Sequence, residues 1–391
     1  MEDCRQVNRI VNGDVLRFAA HYRGPRFHAV LCDPPYELGF MGKSWDSRGV
    51  SFRAETWAAI GSLLAPGAHL LAFGGTRTFH RIAVAIEDAG FEIRDTIGWM
   101  YGSGFPKSHD VSKAIDREAG AEREMVSVNP NYRPHSGAIA AAEWFQDRSS
   151  GLITAPATDD ARAWQGYGTA LKPAWEPVIV ARKPLIGTVA SNCLAHGCGA
   201  INVDGAKVGT DVVFTSAHKT LGDGIKYNKS KPFPASEPRI GRWPANIIHD
   251  GSDETSDVLG DAARFFYAAK AGRREREAGL DGFDGRPPAF GNESGGGLGR
   301  VISNTRQDIP RRNHHPTVKP LALTQYLATL ILPPPHVESR ILVPFAGSGS
   351  ECIGAALAGW HTVVGVEREA EYAAIARARL EHWTRQQALP E

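Results

Sequence analysis

Asp33-Pro34-Pro35-Tyr36 is the stretch best equipped for chemistry. It follows Ala29-Val30-Leu31-Cys32, an apolar run of strand length bounded by turn formers. Pro34 biases Asp33 towards extended backbone, and the proline pair stiffens the turn. An acid, a rigid carbonyl and an aromatic ring are thereby fixed at the end of a buried strand, where open α/β sheets bind ligands. The bland alternative is a plain strand-to-turn junction.

A second stretch shifts the balance. In Val343-Pro344-Phe345-Ala346-Gly347-Ser348-Gly349-Ser350, the strand Ile341-Leu342-Val343 leads into a turn with two glycines. Apolar residues at Cys352, Ile353, Ala356 and Leu357 predict a helix from Glu351 to Gly359. Glycines at a helix N-terminus let the backbone approach a ligand closely. His361 to Val366 reads as the next strand, ending in Glu367, and Glu369 to about Arg385 reads as a helix. Strand, glycine turn, helix, strand and acid form a unit that can hold an adenosine moiety, the acid accepting from ribose hydroxyls.

His315-Pro316-Thr317-Val318-Lys319-Pro320 precedes that unit. With these three motifs in this order, the chain resembles the S-adenosyl-L-methionine (AdoMet)-dependent DNA amino-methyltransferases. These are the N6-adenine/N4-cytosine family in its DPPY-first arrangement, which includes restriction-modification and phage-type orphan methylases. Gly102-Ser103-Gly104-Phe105-Pro106-Lys107-Ser108, Trp175-Glu176-Pro177 and Trp243-Pro244-Ala245-Asn246 are similar to phage-type members. One departure stands out: the family carries an acid where this chain has Val343.

The resemblance implies a doubly wound, mostly parallel Rossmann-like methyltransferase sheet with an inserted DNA-recognition region. It divides the chain into a catalytic half (1–105), an inserted target-recognition region with some strands returning to the core (106–310), and an AdoMet-binding half (311–391). It implies methyl transfer to N6 of an adenine flipped out of double-stranded DNA. N4 of cytosine, by the same chemistry, and a catalytically weak DNA-binding protein are the alternatives. Asp33, Pro34, Pro35 and Tyr36 are the implied catalytic residues. An exocyclic amine is a poor nucleophile. Asp33 and the Pro34 carbonyl can each accept a hydrogen bond from it and stabilise the charge that develops on attack, while Tyr36 stacks on the base. The implied cofactor residues are Asp14, Asp33, Thr317, Lys319, Phe345, Ala346, Gly347, Ser348, Gly349 and Glu367. Thr317 and Lys319 would meet the methionine end. Asp14 resembles the family's adenine-facing acid but is equally a helix N-cap. A homodimer and a cytoplasmic location, in a bacterial nucleoid or phage-infected host, accord with the resemblance.

Composition sets further limits. The chain has 391 residues, a formal net charge of +1 and five cysteines. Bulk charge therefore does not announce nucleic-acid binding, and any DNA surface must be a local patch. Irregular cysteine spacing argues against a disulfide framework. No run approaches a membrane span, and Met1-Glu2-Asp3-Cys4-Arg5 lacks a secretory pattern. Methylation at cytosine carbon 5 would use a thiolate in a Pro-Cys pair, and none occurs; Cys32 should point away from Asp33 into the core. Cys193, His196 and Cys198 lack a second ligand pair, so no metal is expected.

Further elements complete the doubly wound half. Val11 to Leu16 suggests a strand end and turn. Helices are predicted at Thr56 to Leu64 and Phe79 to Ala89, and strands at His69 to Phe73 and Phe91 to Met100. The run around Trp175 to Ala181 should return to the sheet, and Pro316 to Leu332 reads as helical. Gly39 to Gly49, Ala155 to Gly168 and Gly282 to Arg312 read as loops or disordered segments. Lys219, Lys226, Lys229, Lys231, Arg239 and Arg242, then Arg264, Lys270, Arg273, Arg274 and Arg276, interleave with Tyr227, Phe233, Trp243, Phe265, Phe266 and Tyr267. Such a basic, aromatic-bearing stretch suits phosphate and base contacts; a solvated surface is the plain alternative.

Overall fold

A computed structural model describes residues 7–38, 49–102, 108–128, 152–213, 239–253, 257, 266–268, 270–286 and 310–387. Along the chain the strands are β1 (Val7–Asn12), β2 (Phe27–Cys32), β3 (Leu64–Phe73), β4 (Glu92–Met100), β5 (Met125–Val128), β6 (Leu152–Thr154), β7 (Trp175–Arg182), β8 (Val208–Val213), β9 (Arg239–Arg242), β10 (Ile247–His249), β11 (Phe266–Tyr267), β12 (Arg340–Val343) and β13 (Thr362–Glu367). Nine of them form one sheet, ordered β1-β13-β12-β2-β3-β7-β4-β10-β11. Every pairing in it is parallel except those of β7, which runs antiparallel to β3 and β4. The pairs β5–β6 and β8–β9 make separate two-stranded ribbons.

Both faces of the sheet are covered, which is why its central strands read as continuous apolar runs. Successive residues enter opposite cores. Ala29 and Leu31 of β2, Ile341 and Val343 of β12, and Val178 and Val180 of β7 join one cluster with the helices Leu321–Leu330, Ser350–Leu357 and Ala370–Gln387. Val30 and Cys32, Leu342, and Ile179 and Ala181 join the other, with the helices Ala54–Ser62 and Phe79–Asp88. The crossover from β12 to β13 therefore runs over one face and that from β2 to β3 over the other. Their divergence opens a crevice at the carboxyl ends of β12 and β2, the topological switch point of a doubly wound sheet.

The α/β, doubly wound and mostly parallel architecture is the one expected, and β7, β10 and β11 from the middle of the chain join its sheet. Four readings change. The helix expected from Pro316 begins at Leu321, because Pro316 and Pro320 keep the residues before them extended. β3 starts at Leu64 and carries Pro66-Gly67 inside it. Residues 155–168 are organised: Asp116 is fully buried and accepts from Ala157 N (3.0 Å), Thr158 N (3.0 Å) and Thr158 Oγ1 (2.8 Å), and Thr158 caps the helix Asp159–Ala163. β10 and β11, too short to read in sequence, extend the sheet past β4. The expected loop at 39–48, the core of the Gly102–Ser108 motif, the lysines from 219 to 231, Arg264 and residues 287–309 lie outside the described residues. Among the described residues, no helix is long and apolar enough to cross a membrane.

The helices Leu321–Leu330 and Ser350–Leu357 pack closely at Gly354. A Cβ there would fall 2.3 Å from Thr324 Oγ1 and 2.6 Å from the Gln325 backbone nitrogen. Gly354→Ala should therefore destabilise the fold by about 1–3 kcal/mol despite alanine's better helix propensity. Urea denaturation of the two proteins measures this; an unchanged midpoint would contradict the packing.

Candidate active site

Four strands deliver the crevice's residues from their carboxyl ends. β2 ends in Asp33-Pro34-Pro35-Tyr36, β12 in the glycine turn, β13 in Glu367, and β1 in Asn12-Gly13-Asp14. Together with the segment 315–319 they enclose a cavity of about 270 Å3. All the sequence-predicted site residues border it except Gly349, which acts through the backbone as the left-handed N-cap (φ +84°) of the helix Ser350–Leu357. Gly347 (φ +52°) lies on the cavity wall, where a Cβ would fall 2.9 Å from His315 Nε2.

The glycine turn is held from two sides. Gly347 N donates to Glu367 Oε2 (2.8 Å), and Glu369 N donates to Glu367 Oε1 (2.8 Å). Each oxygen keeps a further lone pair for a ligand. Burial raises the Glu367 pKa. Behind the turn, fully buried Arg379 donates to the Ser348 carbonyl (2.6 Å), Ser348 Oγ (3.1 Å) and Ser350 Oγ (3.3 Å). Asp14 caps the helix Val15–His21 through Leu16 N and Arg17 N while bordering the cavity, so the capping role read from sequence is realised.

The 315–319 segment is bracketed by side chains that sequence assigned elsewhere. Arg276, expected among phosphate-facing residues, is half-buried and donates to the His315 carbonyl; Asn313 donates to the Arg276 carbonyl. Glu275 Oε1 accepts from Leu321 N (2.8 Å). Burial pushes the His315 pKa down to about 4, so the ring is neutral near pH 7 and Nδ1–H donates to the Thr317 carbonyl. Lys270 is exposed like Arg273 and Arg274, but its ammonium lies 3.8 Å from the Tyr101 ring centroid. Arg242, the last residue of β9, and Trp243 after it are exposed as well.

The chemistry-bearing end is a buried charge cluster. Lys319 Nζ lies 2.8 Å from Asp33 Oδ2, 3.2 Å from Glu176 Oε2 and 3.1 Å from the Tyr36 hydroxyl. Tyr36 and Tyr101 donate to the two oxygens of Glu176. Burial works against the Lys319 charge, but Asp33 and Glu176 outweigh it and hold the pKa above the ordinary lysine range. Burial, reinforced by Asp33 and Glu176, raises the Tyr36 pKa. The hydroxyl of Tyr36 is therefore part of the network, and the ring alone does not describe its role. Asp33 Oδ1 is buried and has no hydrogen-bond partner. Ser51 Oγ donates to the Pro35 carbonyl (2.6 Å) and steadies the turn after Asp33.

Sequence reasoning missed two acids. Glu176 was visible only as part of Trp175-Glu176-Pro177; an acid opening an apolar strand was its signal. Glu351 stands in the first turn of a helix that otherwise packs apolar residues, and it is 4% exposed yet borders the cavity. Val343, by contrast, is completely buried in the core and is not part of the cavity wall. An acid introduced there would enter the core rather than the cavity. Val343→Asp, which sequence alone suggests would tighten a cofactor, should instead destabilise the fold by on the order of 3–5 kcal/mol. Thermal unfolding without ligand checks this.

The expected metal-like trio has another use. Burial raises the Cys198 thiol to about 12, and it donates to the Pro66 carbonyl beside buried Asn192. Among the described residues, no cluster of three or more metal-ligating side chains occurs. Cys32 is buried in the core on the face away from the cavity.

No family model and no curated protein matches the chain. Among solved structures it is similar to the M1.HpyAVI–SAM complex, at 14% identity over 95% of this chain and 98% of that one, with a TM-score of 0.39. TTHA0409 from Thermus thermophilus, complexed with S-adenosyl-L-methionine, gives 15% identity, 97% and 96% coverage and 0.39. PvuII DNA methyltransferase (cytosine-N4-specific) gives 11%, 96% and 87%, and 0.41. Likenesses this distant leave the fold and chemistry to rest on the geometry above.

Glu351 makes stability depend on pH. Burial, then the Asp33 charge, raise its pKa from 4.5 to about 7, opposed by Lys319 and Arg379. Between those values the folded protein keeps a proton that the unfolded chain gives up. Stability therefore falls as pH rises through this window, by on the order of 3 kcal/mol in full. Glu351→Gln should remove the slope, matching wild type near pH 4 and exceeding it near pH 8 in ligand-free urea titrations. Parallel pH profiles would contradict the burial of this acid.

Proposed function

We propose that this protein is an AdoMet-dependent DNA methyltransferase that methylates an exocyclic amino nitrogen, N6 of adenine, in a base flipped out of duplex DNA. The observation that carries the reading is the pairing of Asp33-Pro34-Pro35-Tyr36 with the glycine turn and Glu367 around one cavity at the switch point. The residues fit the cofactor. Gly347 brings the turn's backbone to the cavity wall with His315 packed against it, and Glu367 keeps lone pairs for ribose hydroxyls. Asp33 and Glu176 share Lys319 and Glu351 adds a third acid nearby, so the cluster complements a ligand bearing positive charge.

When bound, AdoMet supplies an activated methyl on sulfur, so direct transfer needs neither a metal nor an enzyme nucleophile. The protein's part is to hold the amine. Lys319 fixes Asp33 through Oδ2, which leaves Oδ1, buried and unpartnered, aimed at a donor. An amine N–H is such a donor, and the Pro34 carbonyl can take the second. Both bonds strengthen as the nitrogen becomes positive. With a sulfonium methyl donor in place, the nitrogen lone pair would form the N–C bond, the C–S pair would leave with sulfur, and the surplus amine proton, held by Asp33 Oδ1, would pass to solvent. Tyr36 offers its ring to the base, while its hydroxyl keeps Lys319 and Glu176 in place. Exposed Trp243 and Arg242 belong to the inserted region that would meet DNA, with the lysines between 219 and 231.

Asp33→Ala should lower methyl transfer to duplex DNA by at least about a hundredfold, with AdoMet binding kept within about tenfold. Labelled-methyl incorporation followed by nucleoside analysis measures the rate and separates N6-methyladenine from N4-methylcytosine. Retention of more than a few per cent of the rate would remove Asp33 from its role.

A further inference from the structure

Glu351 is a buried acid that the transfer chemistry does not use. It sits one residue into the helix after the glycine turn, 4% exposed, with its side chain on the cavity wall. Among the described residues no side chain donates to its carboxyl group, and its own backbone N–H is its hydrogen-bond donor. The groups facing it are Asp33, Lys319, Arg379, Tyr36, Cys32 and Cys352. Neither cation is hydrogen-bonded to it: Lys319 bonds Asp33 and Glu176, and Arg379 bonds Ser348 and Ser350. A buried carboxylate without a cation is costly, so the group keeps a proton unless a ligand brings a positive charge. A primary ammonium brings both a charge and N–H donors, which a sulfonium does not.

We propose that Glu351 binds the α-ammonium at the methionine end of the cofactor, supplying from the helix an acid that position 343 cannot present. The inference rests on the AdoMet reading above. Val343 lies wholly in the core at the end of β12, whereas Glu351 lies eight residues later in the chain and reaches the same cavity as Asp33.

Calorimetry with two product-like ligands tests this. S-adenosylhomocysteine carries the ammonium; 5′-methylthioadenosine shares its adenosine and thioether but lacks the amino-acid end. Glu351→Gln should weaken S-adenosylhomocysteine by about tenfold to a hundredfold and leave 5′-methylthioadenosine within about twofold. Wild-type protein offers a second readout that does not depend on the variant's folding. Near pH 7, buffers of different ionisation enthalpy should reveal proton release on binding S-adenosylhomocysteine and none on binding 5′-methylthioadenosine, because the ammonium ionises Glu351. Equal weakening of both ligands, unchanged affinity for both, or no ligand-specific proton release would overturn the proposal. Any of these outcomes, with wild-type binding of S-adenosylhomocysteine intact, overturns the role of Glu351 alone. No wild-type binding of S-adenosylhomocysteine or AdoMet would overturn the cofactor reading as well.

Discussion

The ion pair between Lys319 and Asp33 joins residues 286 positions apart, with the lysine buried and the acid nearly so. Lys319 also bonds the Tyr36 hydroxyl and Glu176, so one ammonium organises side chains from β2, β7 and the segment before the helix Leu321–Leu330. Removing one partner from such a cluster leaves an uncompensated buried charge, a loss of about 3–5 kcal/mol. Geometry is the other consequence. With Oδ2 tied down, Asp33 has one free acceptor, and its direction is set by the packing around Lys319. The Phe73 ring, 4.6 Å from Nζ, and the Tyr36 ring, 5.4 Å away, complete the enclosure.

The topology makes this meeting possible. Asp33 and the glycine turn come from opposite ends of the chain, yet β2 and β12 are adjacent parallel strands whose crossovers leave by different faces. A crevice follows at their carboxyl ends, and no loop has to be long to reach it. β7 adds Glu176 from the other direction. Because it runs antiparallel between β3 and β4, its start, rather than its end, lies beside Phe73 and Met100 at the same rim. Backbone strain supports the floor: Glu37 has φ +56°, and among the described residues it is the sole non-glycine with positive φ. Such a conformation costs on the order of 1–3 kcal/mol. Its carboxylate accepts from Gly49 N and Ser51 N, and Ser51 in turn grips the Pro35 carbonyl. The strain is thus tied to fixing the turn after Asp33.

The central strands were legible because a sheet covered on both faces demands unbroken apolar runs, as in Ala29 to Cys32 and Ile341 to Val343. The glycine turn and Asp14 were legible because left-handed backbone and helix capping restrict residue choice locally. Glu176 and Glu351 were not. Whether an acid points to water or to a cavity is decided by tertiary packing, and neither spacing nor composition reports it. The same limit made Arg276 look like a surface cation, when it is half-buried and bonds the His315 carbonyl. Val343 was legible as a departure, but its burial was not, because tertiary packing decides it.

The acid surplus also bears on how the fold can tolerate its own site. Asp33 and Glu176 pair with Lys319, Glu351 stands near both Asp33 and Lys319, and burial raises the Glu351 pKa to about 7. The cluster can therefore relieve its excess charge by keeping a proton. A cationic ligand removes the need for that proton, and each unit of pKa then displaced corresponds to about 1.4 kcal/mol of coupling between ligand and protonation. Neighbouring groups already fixed by backbone and side-chain donors, such as Glu367 and Arg379, gain little from such a ligand. At the crevice, Asp33 Oδ1 is buried without a hydrogen-bond partner, and Glu351 adds a buried acid on the cavity wall. The structure thus keeps its rigid hydrogen bonds for the cradle and leaves its open acceptors where a cofactor's charge and a base's amine would meet.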